Sequence, residues 1–217
     1  MEILFGHVAL CSSSSELEII KREDITAAVW DRKMGDDLKV AINSLKLILG
    51  RRKTEVTSTF YQNRPMAIEL AKSSLTKNFF GHSGRLEDKR AAILAQDISG
   101  LAALFTVASN NSRPVANLEY VLKNRFGYFH IDGLRLRLIT TYFGPGTEWL
   151  PNHVCDVDAL KKGEVHYDFN GYKKELQRLK AGQVMIFKGR GTFCHPNLGL
   201  IHRKPTHSGS RLVLKIN

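Results

Sequence analysis

The first half of the chain carries apolar residues at helical spacing. In residues 36–49 leucine and isoleucine recur every three or four positions, acidic residues open the segment and Gly50 ends it. Residues 65–80 repeat the pattern with a proline in the first turn. Residues 85–108 begin charged and become almost wholly apolar before Asn110. The pattern therefore predicts three helices, the last of them buried at its C-terminal end.

The hydrophobic pattern changes near residues 112–114. After this point strand-like runs broken by glycine replace the helical period. Residues 134–142 begin with strict alternation of leucine and arginine and continue with strand formers, and residues 143–146 read as a turn. Later segments are predicted as three strands and two short helices: 183–187, 200–202 and 211–216 as strands, 157–162 and 172–179 as helices.

Helices followed by strands indicate an α+β fold. We expect a mainly helical N-terminal region, residues 1–112, packed on a β-rich region, residues 113–217, in one compact unit. Many short strands with turn signals are typical of a sandwich or jelly roll. The second region has only about 105 residues, which is short for eight strands, so an early segment is expected to lend strands.

The net charge of +11 lies mostly in the second region. Residues 1–112 hold 15 basic and 13 acidic side chains, whereas residues 113–217 hold 17 and 8. A solvated basic surface is the ordinary explanation. The functional one is a field that attracts an anionic co-substrate or an acidic macromolecule. No RRM, zinc-finger or helix-turn-helix pattern accompanies the charge, so charge alone assigns no nucleic-acid partner.

Cysteine usage and hydropathy bear on the compartment. Cys11, Cys155 and Cys194 form a sparse, odd set without a CxxC pair, which favours a reducing, cytoplasmic setting. No uninterrupted run of 18 apolar residues occurs, so we expect no transmembrane helix and no membrane partner. The apolar start of the chain lacks the basic segment of a signal peptide.

The chemistry is concentrated around the segment Phe129-His130-Ile131-Asp132. Residues two apart on an extended strand point the same way, so His130 and Asp132 can reach one metal ion. His202 ends a later apolar run, nine residues before Arg211, and a strand, turn and strand would place those two side by side. Two imidazoles and one carboxylate on one face of a metal are typical of non-haem iron oxygenases. The arginine could bind the distal carboxylate of a 2-oxoacid.

The order His130-x-Asp132, His202, Arg211 resembles the non-haem Fe(II)/2-oxoglutarate-dependent oxygenase superfamily, and the segments around them resemble its prolyl-hydroxylase-like branch. Residues 120–217, with FHIDGLRLRLITTYFGPGTEWLP, LKAGQVMIFKG and LIHRKP, are also similar to an uncharacterised bacterial family of unknown function.

These resemblances imply a C-terminal double-stranded β-helix, a jelly roll of the cupin type. They imply Fe(II) held by His130, Asp132 and His202, and 2-oxoglutarate with its C5 carboxylate on Arg211. Tyr142, on the strand after the metal motif, would be a second donor to that carboxylate. The implied activity is hydroxylation or demethylation of an unidentified substrate, with 2-oxoglutarate converted to succinate. The bacterial family also implies a link to zinc homeostasis, with Zn(II) as the alternative metal.

Three further residues are candidates for contact with the substrate. Trp149 follows the turn near the expected entrance and would serve as a platform or close the core. Arg137 lies on the strand face opposite the leucines, which is either solvated or turned toward the barrel mouth. Arg203 is the immediate neighbour of His202.

Two other classes of function stay open at this stage. One is a non-catalytic metal-binding protein of the same fold that serves zinc homeostasis, and the other is a basic nucleic-acid- or ribosome-associated protein. A separate zinc site could be built from four side chains, His153, Cys155, Cys194 and His195. Their spacing matches no common zinc module. The pattern assigns neither the substrate nor the oligomeric state.

Overall fold

The protein is a mixed α/β structure in which two β-sheets and three α-helices form three layers. The computed structural model describes residues 1–52, 54–61, 66–80, 84–122, 127–154, 174–191, 199–206 and 209–217. Their strands, in chain order, are β1 (Glu2–Leu4), β2 (Val8–Cys11), β3 (Ala27–Trp30), β4 (Val56–Tyr61), β5 (Val115–Val121), β6 (Leu136–Phe143), β7 (Glu148–Leu150), β8 (Gln177–Arg178), β9 (Val184–Lys188), β10 (Ile201–Arg203) and β11 (Arg211–Ile216).

The helices lie close to where the apolar period predicts them. The α-helices are α1 (Asp36–Leu49), α2 (Met66–Leu75) and α3 (Arg85–Ser109), with a π-helical turn at Thr76–Phe80 and 3₁₀ turns at Ser15–Lys21 and Asn152–Val154. Helix α3 ends at Asn110, whose φ of 55° is left-handed, as is common for asparagine after a helix. The prediction of a helix at 157–162 falls outside the described residues.

Helix α3 has the length and composition of a membrane span, and within the described part of the chain it is the one helix that does. A buried helix of a globular core passes the same test. Here Leu94, Ile98, Leu101 and Phe105 pack into a core cluster that also contains side chains from the large sheet. The packing accounts for the apolar composition of α3 without a bilayer.

The large sheet has eight strands in the order β1-β2-β3-β9-β6-β11-β5-β4. Every neighbouring pair is antiparallel except β2 and β3, which run parallel. Four of the eight strands come from the first 61 residues. The region before residue 112 is therefore not only helical, because it supplies half of the large sheet.

A small antiparallel sheet, in the order β10-β7-β8, packs on the other side of the large sheet. Strand β8 corrects the prediction of a helix at 172–179: residues 172 and 173 are outside the described part, and Gln177 and Arg178 pair with Trp149 and Glu148 of β7. Backbone pairing across the sheet outweighs the helical spacing of that short segment.

Strand alternation divides the large sheet into two faces. On β6, Leu138 packs with the helices, in a cluster that includes all three. Its neighbour Ile139 packs in a second cluster, which contains Trp149 and Leu200 from the side of the small sheet. We call these the helix face and the site face, because the candidate metal ligands lie between the two sheets on the latter.

Candidate metal centre

The structure brings His130, Asp132 and His202 together. Nε2 of His130 lies 3.4 Å from Oδ1 of Asp132, and Nε2 of His202 lies 3.6 Å from Oδ2. All three ligand atoms lie within 4.8 Å of one another. Two ligands at right angles, each about 2.1 Å from an ion, are about 3 Å apart. The triad is therefore a candidate site for a single ion, and among the described residues it is the one such cluster of three.

The backbone sets the spacing of the two imidazoles. His130 and His202 form an isolated antiparallel bridge in which each N–H donates to the carbonyl of the other, at 3.0 Å in both directions. Their ring centroids are 4.5 Å apart. Residue 130 thus adds a one-residue strand to the edge of the small sheet, which explains how residues 72 positions apart meet.

Both imidazoles are held in the tautomer that a metal requires. Nδ1 of His130 lies 2.9 Å from the carbonyl oxygen of Tyr128, and Nδ1 of His202 lies 3.1 Å from that of Leu200. A carbonyl oxygen can only accept, so each Nδ1 carries the hydrogen and each Nε2 presents a lone pair. Such backbone contacts fix the orientation of metal-binding histidines.

The turn that carries Asp132 packs tightly against two glycines. A Cβ at Gly189 would lie 2.2 Å from the carbonyl oxygen of Leu134 and 2.5 Å from that of Asp132. A Cβ at Gly199 would lie 2.2 Å from the Ile131 side chain. Close approach of the chain here is possible only because glycine has no side chain. Gly189 and Gly199 thus shape the turn that carries Asp132.

Burial and neighbouring charges shift the pKa values of the three candidate ligands in different directions. Burial lowers the pKa of His202 to about 4, so this imidazole is neutral. The hydrogen bond with Asp132 raises the pKa of His130, whose side chain is half-exposed. Burial acts to raise the pKa of Asp132, but His130 and the nearby positive charges outweigh it and leave that pKa below its usual value. An ionised carboxylate beside a neutral imidazole is ready to bind a cation.

Arg211 lies on the site face with an unsatisfied guanidinium. It is 1% exposed and pairs across the sheet with Val121, a member of the second core cluster. Its Nε and Nη1 are buried and have no hydrogen-bond partner among the residues that the structure describes. Burial lowers its pKa to about 10, against the opposing effect of Glu119. A buried cation without an acceptor is costly unless a ligand supplies one.

Arg137 also lies on the site face, where its Nη1 is 2.6 Å from Oδ2 of Asp132. Its Nε donates to Oδ1 of Asn217 at 2.8 Å. The sequence did not decide whether the Arg137 face of β6 is solvated or turned toward the barrel mouth. In the structure this face turns toward the candidate metal ligands. The role of Asn217 has no signal in the sequence, because it depends on β11 lying beside β6.

The prediction that Tyr142 donates to a 2-oxoglutarate carboxylate is wrong. Its hydroxyl donates to Oδ2 of Asp97 at 2.7 Å, and its ring packs in the helix-face cluster. A bulge in β6, where Val213 pairs with Thr141 and the preceding residue of β11 pairs with Phe143, turns Tyr142 and Phe143 to the same side. Burial raises the pKa of Tyr142 well above its ordinary value, so it stays neutral.

Trp149 is 4% exposed and stands opposite His202 in the paired strands β7 and β10. Its ring packs edge-on against Phe5 at 6.0 Å, in the second core cluster. This position matches the alternative in which the tryptophan closes the core, and it offers little surface as a platform for substrate.

Arg203 points away from the metal ligands, as expected for the strand neighbour of His202. Its Nε donates to Oε2 of the fully buried Glu148 at 2.8 Å, and its guanidinium lies 4.2 Å from the centre of the Phe129 ring. Arg178 contacts the same carboxylate. The structure therefore places Arg203 in an ion-pair network rather than in a position to reach a substrate. For the four-residue zinc site, only His153 is described, beside Phe5.

Comparison with known structures shows the fold. The dioxygenase for auxin oxidation 1 from Arabidopsis thaliana, solved with 2-oxoglutarate, has a TM-score of 0.54 at 10% identity, over 97% of this chain and 91% of that one. T7H of Neurospora crassa, solved with alpha-KG and thymine, has a TM-score of 0.50 at 8% identity, over 97% and 85%. A Trichoplax adhaerens prolyl hydroxylase has a TM-score of 0.47 at 10% identity, over 94% and 87%. The first two likenesses show that the chain has the fold of the Fe(II)/2-oxoglutarate oxygenases.

The chain belongs to the family described as Protein of unknown function (DUF1826), whose profile matches residues 12–217. No curated protein matches the sequence. Both resemblances drawn from the sequence, to an uncharacterised family and to the oxygenase superfamily, are confirmed. At about 10% identity the structural likeness carries the fold and not the activity.

Proposed function

We propose that the protein is a non-haem Fe(II)/2-oxoglutarate-dependent oxygenase acting on an unidentified substrate, with its two sheets arranged as a double-stranded β-helix. The observation that carries the proposal is the orphaned guanidinium of Arg211 on the face that also holds the metal triad. A structural arginine would be paired. An arginine that lacks an acceptor on the face that also holds three candidate metal ligands suits a ligand with both a chelating end and a distal carboxylate.

Each residue has a defined part in this reading. His130, Asp132 and His202 hold Fe(II), and Arg211 binds the C5 carboxylate of 2-oxoglutarate. Thr141 replaces Tyr142 as the second donor to that carboxylate, because it faces the same side as Val213 and its buried hydroxyl has no partner. The bound iron and 2-oxoglutarate would supply oxidation by dioxygen: one oxygen atom would enter the succinate that forms with carbon dioxide, and the other would enter the substrate. The chain contributes orientation, charge and exclusion of water.

The first test is metal binding. Asp132→Ala and His202→Ala should each lose tight Fe(II) binding measured anaerobically by calorimetry, because two ligands hold a divalent ion much more weakly than three. Tyr142→Phe is the matched control, because the hydroxyl of Tyr142 donates to Asp97 on the helix face. Wild-type affinity in both ligand variants would exclude the site.

The second test separates co-substrate binding from metal binding. Arg211→Met should bind Fe(II) normally but bind 2-oxoglutarate about a hundredfold more weakly, since it loses a charge-assisted, two-point contact. Succinate release with candidate substrates then tests turnover. Equal 2-oxoglutarate affinity in Arg211→Met and wild type would reject the assigned role of Arg211.

A non-catalytic metal-binding protein of the same fold is the second candidate. The observation that favours it is the donor set, because two imidazoles and one carboxylate also form a common Zn(II) site. This reading predicts tight Zn(II) binding without 2-oxoglutarate binding, and no response to Arg211→Met. The same calorimetry therefore distinguishes the two.

The substrate class is proposed from charge. Lys204 is exposed just after β10, and its charge, like that of Arg137, reaches Lys215 on the site face. A basic margin beside the metal ligands favours an anionic substrate, including an acidic macromolecule. A steep fall of substrate affinity with added salt would support this assignment, and salt-independent binding would oppose it.

A further inference from the structure

The guanidinium of Arg137 is fixed at two points, which is unusual for a long surface-adjacent side chain. Nη1 contacts Oδ2 of Asp132 at 2.6 Å, and Nε donates to Oδ1 of Asn217 at 2.8 Å. The Arg137 side chain is 20% exposed and that of Asp132 is 11% exposed. Arg137 therefore forms an ion pair with one oxygen of a candidate metal ligand, an oxygen that accepts no hydrogen bond from the described residues, and the contact with Asn217 sets the orientation of the guanidinium.

The contact divides the two carboxylate oxygens of Asp132. Oδ1 is the oxygen nearest to His130, at 3.4 Å from its Nε2, whereas Oδ2 is the oxygen nearest to Arg137. Oδ2 is the oxygen that Arg137 approaches, and it lies 3.6 Å from Nε2 of His202. A cation placed on one oxygen opposes approach of a second cation to that oxygen, so a metal ion would be drawn to Oδ1.

Counting coordination positions shows why this division matters. An octahedral ion has six positions, and three protein atoms leave about three open. A carboxylate that chelates through both oxygens would occupy one more and leave about two. A 2-oxoacid that binds through two oxygens, followed by dioxygen, needs all three. The number of oxygens that Asp132 donates therefore decides whether the site can accept its ligands.

We infer that Arg137 is a positioning residue that restricts Asp132 to one metal-coordinating oxygen, Oδ1, and thereby keeps a coordination position open. Asn217 supports this by holding the guanidinium from the side away from the carboxylate. The inference rests on the metal-binding part of the proposed function, and it does not require that the protein turn over a substrate.

The arrangement has a cost that makes it measurable. A guanidinium beside a ligand carboxylate repels the incoming ion as well as orienting the ligand. Removing the arginine should therefore tighten metal binding while it removes an open position. A side chain that only supports the fold would give the reverse: weaker binding and an unchanged number of open positions.

Mn(II) added to the metal-free protein is the probe, because its coordinated waters can be counted from electron paramagnetic resonance line broadening in ¹⁷O-labelled water. Wild type should show about three exchangeable waters. Arg137→Gln should show about two, and should bind Mn(II) roughly tenfold more tightly, as expected from removing a like charge a few ångströms away. Asn217→Ala should shift both quantities in the same direction by a smaller amount.

Two variants separate position from charge. Arg137→Lys keeps a cation beside Asp132 and should keep about three waters. Lys204→Gln removes an exposed cation whose charge reaches the same face, and should leave the water count at the wild-type value. Thermal melts of each metal-free variant establish that it is folded.

Three waters in Arg137→Gln, or weaker Mn(II) binding with three waters, would overturn the inference. Two waters in Arg137→Lys would overturn it as well if the lysine variant is as stable as wild type. Failure of the proposed metal site looks different: wild type itself would bind Mn(II) no better than Asp132→Ala, and no comparison at position 137 would arise.

Discussion

The two faces of the large sheet each hold a largely buried arginine side chain, and the two differ in whether a carboxylate contacts it. On the helix face, Arg32 contacts Oδ1 of Asp97 at 2.6 Å and donates from Nε to the carbonyl oxygen of Gly182, although its Nη2 is buried without a hydrogen-bond partner. On the site face, Arg211 has two buried nitrogens without an acceptor and no carboxylate partner among the described residues. A buried charge that serves stability is paired within the chain. The missing carboxylate, rather than an unpaired nitrogen by itself, therefore distinguishes Arg211 from Arg32.

The largest expected effect contrasts the two arginines in the metal-free protein. Arg32→Met should lower the free energy of unfolding by about 3–5 kcal/mol, because it leaves Asp97 and its contact with Tyr142 without a cation. Arg211→Met should change that free energy by less than about 1 kcal/mol or raise it, because an unpaired cation gives way to an apolar chain of similar length. Urea unfolding measures both.

The contrast between the faces would be broken if the two methionine variants lost similar amounts of stability. Addition of 2-oxoglutarate and metal provides an internal control. Ligand should stabilise Arg32→Met as it does wild type, and should stabilise Arg211→Met far less.

An intermediate effect concerns pH. Burial lowers the pKa of His202 to about 4, from 6.5 in an unfolded chain. Between these values the unfolded state binds more protons than the native state, so stability is full above pH 6.5 and falls as the pH drops toward 4. The loss at pH 4.5 should be about 2–3 kcal/mol in the metal-free protein.

His202→Gln is the comparison for this pH effect. Its stability should fall less between pH 7.5 and pH 4.5 than that of wild type, because glutamine does not titrate. Parallel pH profiles for the two proteins would mean that His202 is accessible to protons in the native state.

The smallest expected effect belongs to Tyr142. Tyr142→Phe removes the hydrogen bond to Asp97 and should destabilise the protein by about 1–2 kcal/mol. Its 2-oxoglutarate affinity should equal that of wild type. A selective loss of 2-oxoglutarate affinity, with stability unchanged, would show that Tyr142 contributes to the ligand site and would contradict its assignment to the helix face.

Local periodicity explains what the sequence predicts of the fold. Helix α1 covers the residues that its apolar spacing indicates, Asp36–Leu49, because helical hydrogen bonds and side-chain facing are set within a few residues. Strands β1 to β4 carry a weaker signal. Their pairing is with distant segments, as in β3, whose register is set by β9 more than 150 residues later. Such pairing is decided by the tertiary structure.

The candidate site also has features that the local sequence predicts and features that only the tertiary structure decides. The order of His130, Asp132, His202 and Arg211 is readable because metal chemistry restricts residue type and spacing. Strict alternation places Arg137 and Tyr142 on opposite faces of β6, so the sequence predicts that only one of the two can face the site. The contact of Arg137 with Asp132 was not readable, because it depends on how the turn before β6 folds back onto glycine.

The reciprocal backbone bonds between His130 and His202 have a practical consequence. They hold the two imidazoles in register through the peptide chain, so the ion is not needed to assemble its own binding site. Removal of a bound metal with a chelator should then leave the binding site folded. The rate of metal rebinding should be limited by diffusion and dehydration of the ion and not by refolding. We therefore expect that a metal bound at this candidate site can be exchanged for another without denaturing the protein.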